Sequence, residues 1–259
     1  MNSAPQTFWE HLDALRSSII KIGIAVVVCS IAAFCFKREL FDFLLAPCSD
    51  DFVTYRLLEE VADFVTSGGA AHLAPLEVQL FNTGLAQQFM LHLKTAFAVG
   101  LLVASPYVIY LLFHFVAPAL YRHERLLGIR IVISGYLMFL LGLLLTYYLI
   151  FPLTFRFLGT YQVSSMVANT VTLSSYLETL LMLSLSMGIV FEIPILCHLL
   201  AGVGLIRAET MRKYRRHVIV ALLILAAIIT PTADAFTLML VAIPMWLLFE
   251  VSILVVREG

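Results

Sequence analysis

Repeated runs of about twenty apolar residues constrain this chain more than any other feature. They lie at 19–36, 93–115, 129–151, 176–200 and 235–256, with a shorter run at 217–230. A helix satisfies its backbone hydrogen bonds internally where no water is present, and ~20 residues cross ~30 Å of hydrocarbon. Of 259 residues, 61% are hydrophobic and 13% charged, against about 45–50% and 25% in soluble domains. Even the surface of a soluble fold must face water, so the excess here faces lipid. The expected fold class is all-α: one polytopic membrane domain over 1–259 with six transmembrane helices. The net charge of −1 leaves no basic excess for phosphates, so nucleic acid is not an expected partner.

Residues 1–16 contain Glu10 and Asp13, and no small-residue cleavage site follows the first apolar run. That run is therefore expected to persist rather than serve as a removable secretory signal. Segment two contains Pro106 and segment six Pro244; segment three is expected to stop at Pro152. Ser175 and Glu178 stand in capping-box spacing and predict the start of segment four. Segment five has only ~14 residues, or ~21 Å, so local bilayer thinning or burial against neighbours is expected. In the extended outer loop, 37–92, Leu57, Val61, Phe64 and Val65 recur at helical spacing, with Glu59, Glu60 and Asp63 between them. This predicts an amphipathic surface helix ended by Ser67-Gly68-Gly69. Leu76, Val78 and Leu80 alternate over too few residues to establish a strand. Cys29, Cys35, Cys48 and Cys197 form no C-x-x-C pair and read as apolar filler.

Orientation follows from Lys and Arg. One alternate set of aqueous segments holds Arg16, Lys21, Arg122, Arg125, Arg130, Arg207, Arg212, Lys213, Arg215, Arg216 and Arg257. The other holds Lys37, Arg38, Arg56, Lys94 and Arg156. The richer set sits on short loops, so both termini are expected in the cytoplasm. Tyr147 and Tyr148 then mark the outer interface of segment three.

No H-e-x-x-H-type metal motif, G-x-S-x-G elbow or phosphate-cradling glycine loop is present. Three acids stand out instead. Glu192 lies deep in segment four, followed by Pro194, which bends a helix. A carboxylate near the bilayer centre costs ~2.5–3.5 kcal/mol. It is either a polar anchor facing a groove or a protonated group bonded to a neighbouring helix. Glu124 is the lone acid of the basic inner loop Tyr121-Arg122-His123-Glu124-Arg125. An inner acid contributes little to orientation, and an exposed carboxylate accepts a guanidinium in bidentate fashion. Asp234, in the turn after segment five, is placed to cap segment six. At the N-terminus, Phe8, Leu12, Leu15 and Ile19 share one face of an interfacial helix feeding segment one.

Four stretches together resemble the TatC family, core subunits of the twin-arginine protein translocase. They are His11-Leu12-Asp13-Ala14-Leu15-Arg16, the run from Phe115 through Pro118 to Arg125, Phe191-Glu192-Ile193-Pro194, and Thr230-Pro231 with Asp234 and Ala242-Ile243-Pro244. Pro47 also matches a family proline. The resemblance implies a concave, glove-like wall of six helices, the fifth and sixth short, in a bacterial cytoplasmic (inner) membrane. It implies signal-peptide binding through Glu124, Arg122, Tyr121, Arg16, Leu15, Asp13 and Phe115. Glu192 and Pro47 are assigned to the concave groove, and Thr230 and Asp234 to partner docking. Implied partners are the lipid bilayer, TatA- and TatB-type single-helix subunits, twin-arginine signal peptides of folded cargo, and further copies of the chain. The resemblance implies use of the proton-motive force, with no cofactor and no metal. The family's usual N-terminal glutamate is replaced by Ala14, and a polar residue of the sixth helix by Leu238. The competing reading is a small-solute or proton-coupled transporter with Glu192 as carrier site.

Overall fold

The computed structural model describes residues 8–65, 80–116, 128–161, 170–232 and 234–258. Helix α1 (Phe8–Cys35) is followed by α2 (Lys37–Leu45), a single 3-10 turn (Ala46–Cys48) and α3 (Val53–Val65). Next come β1 (Leu80–Phe81) and α4 (Gln87–Val116). Helix α5 (Gly128–Leu145) continues through a π-helical turn (Thr146–Ile150) into α6 (Phe151–Thr160). Strand β2 (Val171–Thr172) precedes α7 (Leu173–Val190) and α8 (Ile193–Gly202). Helices α9 (Ala208–Lys213), α10 (Arg215–Ile229) and α11 (Ala235–Glu258) complete the chain. The architecture is that of an all-α polytopic membrane protein. The two strands pair in parallel over two residues each, Leu80 with Val171 and Phe81 with Thr172.

Among the described residues, five stretches are long and apolar enough to cross a membrane: Leu12–Cys35, Gln87–Phe115, Ile129–Thr160, Leu173–Gly202 and Ala235–Val256. Helix α10 has 15 residues and reaches only ~22 Å. The sixth crossing is not a short helix: 22 residues of α11 qualify as a span, enough for ~33 Å.

Antiparallel packing follows from paired contacts. Phe34 on α1 stacks on His92 of α4 at 4.0 Å between centroids, and Gly100 lies against Ser30. A Cβ on Gly100 would fall 2.6 Å from the Ser30 backbone, so only glycine lets these two backbones meet. Gly142 plays the same part between α5 and α7, where a Cβ would fall 2.8 Å from the Met187 carbonyl. The N-terminal helix is not separate from segment one. Residues 8–35 form one continuous helix, on which Leu12 and Ile19 remain exposed rather than packed against protein.

Segment three does not stop at Pro152. Its helix runs on to Thr160 because the π turn absorbs the proline. Pro152 lacks an N–H, and its ring crowds the carbonyl four residues back, at Tyr148. The Thr54 hydroxyl of α3 donates to that carbonyl. Around this point three buried tyrosines tie down the end of α2. The Tyr147 hydroxyl donates to the Phe43 carbonyl at 2.6 Å and Tyr176 to Leu44 at 2.9 Å. The Tyr55 hydroxyl lies 3.0 Å from the Pro47 carbonyl and 3.2 Å from that of Pro152, so its one proton serves two acceptors. Two of the last carbonyls of α2, and one in the 3-10 turn after it, are thus met by side chains from three other helices. We call this side of the molecule the cap side and the opposite one, bearing Phe8 and Glu258, the terminal side.

Segment four starts earlier than Ser175. Thr172 is the cap, accepting from the Ser175 amide at 3.2 Å. Glu178 is not its capping partner and instead bonds Lys94 of α4 at 2.9 Å. The amphipathic helix of the outer loop is present as α3, whereas its expected Ser67-Gly68-Gly69 end lies outside the described residues.

Candidate functional site

Glu192 stands where the helix of segment four breaks. Helix α7 ends at Val190 and a turn carries Phe191 and Glu192. Helix α8 resumes at Ile193, with Pro194 in its first turn. Pro194 cannot donate to the carbonyl four residues back, so the ladder is interrupted at this point. The bend exposes the Glu192 side chain to a groove of about 430 Å³ between α4, α5, α7 and α8.

The groove is lined by sixteen residues, of which only Glu192 and Ser105 carry polar side-chain groups. The wall is otherwise aliphatic and aromatic, with Leu112 and Phe113 from α4, Phe139 from α5 and Leu196 from α8. Glu192 Oε1 is buried and has no hydrogen-bond partner among the described residues. Opposite it, Gly135 leaves the carboxylate open, since a Cβ there would sit 3.2 Å from Oε2. No described residue of a neighbouring helix bonds Glu192 at Oε1. It is a carboxylate presented to an apolar groove.

The remaining sequence-predicted residues are distributed over three other places. Asp13 and Arg16 are exposed on α1, and Leu15 is half-buried beside them. Phe115 is half-buried at the terminal-side end of α4. Tyr121, Arg122 and Glu124 lie outside the described residues. Pro47 is not in the groove; it is buried in the cap, where its carbonyl accepts from Tyr55.

The turn between α10 and α11 gathers several polar groups. Asp234 accepts from the Thr237 amide at 2.7 Å and so caps α11. Its other oxygen is buried beside the hydroxyls of Thr232 and Thr237, which face the carboxylate. Burial raises the Asp234 pKa, but the Thr237 amide and the neighbouring threonine hydroxyls outweigh it, and the net shift is downward. The Thr230 hydroxyl is already used by its own helix, donating to the Ala226 carbonyl at 2.9 Å.

Two groups escaped sequence reasoning. Glu250 is a further carboxylate within a spanning helix, and it pairs with Arg215 of α10. An acid inside segment six was visible as such, but its partner lies 35 residues earlier. Ser105 carried no sequence signal, because serine is common in membrane helices.

These features define a polytopic helical membrane protein with an apolar groove in its wall that carries one acidic side chain, and with short polar turns at its edges. The match to a family model, "TatC: Sec-independent protein translocase protein (TatC)", extends over residues 10–244. The chain belongs to the TatC family and is a subunit of the Sec-independent, twin-arginine protein translocase. It is 34% identical over 248 residues to the Sec-independent protein translocase protein TatC of Blattabacterium sp. subsp. Periplaneta americana, covering 95% of this chain and 93% of that one. It is 30% identical to the TatC protein of Escherichia coli K12, over 94% of this chain and 85% of that one. A crystal structure of the twin arginine translocase receptor TatC superposes with a TM-score of 0.77 at 31% identity. That match covers 96% of this chain and 99% of the other.

Proposed function

We propose that the terminal-side edge of this chain captures signal peptides bearing consecutive arginines, and that the apolar part of the peptide then lies along the Glu192 groove. Glu124 is the acceptor for the arginine pair, with Tyr121, Arg122 and Phe115 framing it and Asp13, Leu15 and Arg16 of α1 alongside. The Lys and Arg distribution supports a cytoplasmic terminal side and an outward-facing cap side, in a bacterial cytoplasmic membrane. TatA- and TatB-type helices dock at the α10–α11 turn through Thr230 and Asp234, copies of the chain associate, and the proton-motive force drives transport of folded cargo.

The observation that carries this reading is the groove itself: an apolar trough at membrane depth with an unpartnered carboxylate oxygen in its wall. A solute carrier site gathers several polar groups around its substrate. Here fourteen of the sixteen lining residues bring none, which disfavours that alternative.

A photoprobe replacing Tyr121 tests the capture step. Offered a twin-arginine signal peptide, the chain should label it strongly; the twin-lysine version should label at least about tenfold less, because lysine lacks the bidentate fork. Equal labelling of the two peptides overturns the proposal.

A further inference from the structure

We propose that the crease between α1 and α4, in the cap-side half of the membrane, binds one phospholipid whose headgroup carries a phosphate and a primary ammonium. Lys94 takes the phosphate and Glu178 the ammonium. The crease shares no lining residue with the Glu192 groove, and its ligand does not depend on the peptide-binding reading above.

Helices α1 and α4 meet at Phe34–His92 and at Ser30–Gly100. Along this seam lies a crease of about 640 Å³, lined chiefly by Val27, Ile31 and Phe34 of α1 and by Leu93 and Phe97 of α4. Val27, Ile31, Leu93 and Phe97 are each more than half exposed, so in the bilayer they face lipid. The Ser30 hydroxyl in the same wall is spent on the Val26 carbonyl, at 2.7 Å. The wall therefore offers apolar contact only. From Phe34 to Val27 it descends seven residues of α1, ~10 Å toward the middle of the bilayer. Lys94 stands at its cap-side end, with its ammonium 2.9 Å from Glu178 Oε1.

Both charged side chains are accessible, Lys94 at 65% and Glu178 at 56%. The α4 span has 29 residues, ~44 Å against ~30 Å of hydrocarbon. Lys94, seven residues from the cap-side end at Gln87, sits near the boundary between headgroups and acyl chains, within reach of its own stem. An exposed pair holds its partners weakly. Each also keeps bonding capacity: two further N–H donors on the ammonium and a second oxygen on the carboxylate. Together they set a positive charge beside a negative one at the head of an apolar crease. A headgroup with the same two charges in opposite order matches them. Its phosphodiester accepts from Lys94, its primary ammonium donates to Glu178, and one acyl chain lies along Ile31, Phe97 and Val27. Other headgroups match less fully. Choline brings the positive charge but no N–H. A glycerol headgroup brings hydroxyls that donate to Glu178, but as neutral donors they leave its charge uncompensated.

The test uses the full-length chain in vesicles of equimolar phosphatidylethanolamine, phosphatidylcholine and phosphatidylglycerol with identical acyl chains, in the presence of a twin-arginine peptide. A photoprobe replaces Phe97 in the crease or, as a control, Leu137, an exposed residue of α5. The adducts are identified by mass. At Leu137 they should follow the bulk lipid ratio. At Phe97 the phosphatidylethanolamine adduct should exceed each of the others about fivefold, one good hydrogen bond's worth. Glu178→Gln keeps the side-chain shape and removes the anion. It should abolish that excess and make phosphatidylglycerol the leading adduct, because Lys94 is then unopposed. Ile31→Trp should fill the crease and return Phe97 to the bulk ratio with the ion pair intact. The same ratio at Phe97 and Leu137 in the parent chain overturns the proposal, and so does a phosphatidylethanolamine excess that survives Glu178→Gln. A Phe97 adduct made chiefly of the peptide, or of a second copy of the chain, makes the crease a protein contact and overturns it as well.

Discussion

Arg215, in the first turn of α10, is ion-paired to Glu250 on α11. The glutamate side chain is 24% exposed and the arginine 51%. This pair joins the helix too short to span alone to a full-length neighbour, at the terminal side. Exposed pairs contribute about 0–1 kcal/mol, and losing one partner of a buried pair costs about 3–5 kcal/mol. The partial burial places Glu250→Ala between them, at about 1–2 kcal/mol. Thermal unfolding in detergent should show that loss, and Arg215→Ala should show a similar one. The double variant should lose less than the sum; additive losses would mean that the two side chains do not act together.

Tyr55 is 1% exposed, and its hydroxyl reaches two backbone carbonyls in the cap. Burial drives its pKa above the ordinary tyrosine value, although the Arg156 guanidinium, 4.9 Å from its ring, pulls the other way. The hydroxyl therefore stays protonated and donating at any physiological pH. Tyr55→Phe keeps the ring and removes only the donor, leaving two carbonyls to share no proton. The expected cost is about 1–2 kcal/mol, concentrated in the cap. Limited proteolysis from the cap side should quicken while the spanning helices stay protected.

Asp234 links the α10–α11 turn to the pH on the cap side. Its folded-state pKa is lowered, so its contribution is present above the ordinary aspartate value of about 3.9 and is lost as pH falls through the lower, folded value. Acidifying the cap side from neutral to about pH 5 should leave the turn intact. Further acidification should open the first turn of α11. Asp234→Ala should lack this acid transition and show roughly 1 kcal/mol less stability at neutral pH. Hydrogen exchange at the Thr237 amide, which donates to Asp234 at 2.7 Å, reads both effects.

The all-helical class and the places of the five helices of spanning length were legible in the sequence because lipid sets a length that few other environments demand. So was the break at Glu192-Ile193-Pro194, where an acid and a proline coincide. Pro152 misled because its consequence depends on a π turn and on Thr54, which lies 94 residues from Tyr148 in sequence. The capping box at Ser175 misled because Thr172 offers the same chemistry three residues earlier. The shortness of α10 was evident, while its attachment through Glu250 depended on tertiary pairing.

Glu192→Ala separates a structural from a functional role. An unpartnered carboxylate at membrane depth costs stability, on the order of 2.5–3.5 kcal/mol on insertion scales. Its removal should therefore leave protein level and thermal stability unchanged or higher. Export of a folded twin-arginine reporter should nevertheless fall by about tenfold, the size of one charge-assisted hydrogen bond. Gly135→Leu approaches the same point from the opposite wall. A Cβ at Gly135 already lies 3.2 Å from Glu192 Oε2 and 3.3 Å from Ile109 Cγ2, so a larger side chain covers the carboxylate without removing it. Both variants should lose export while Tyr121 still crosslinks the signal peptide. Full export in both would show that the groove takes no part in transport, whatever its shape.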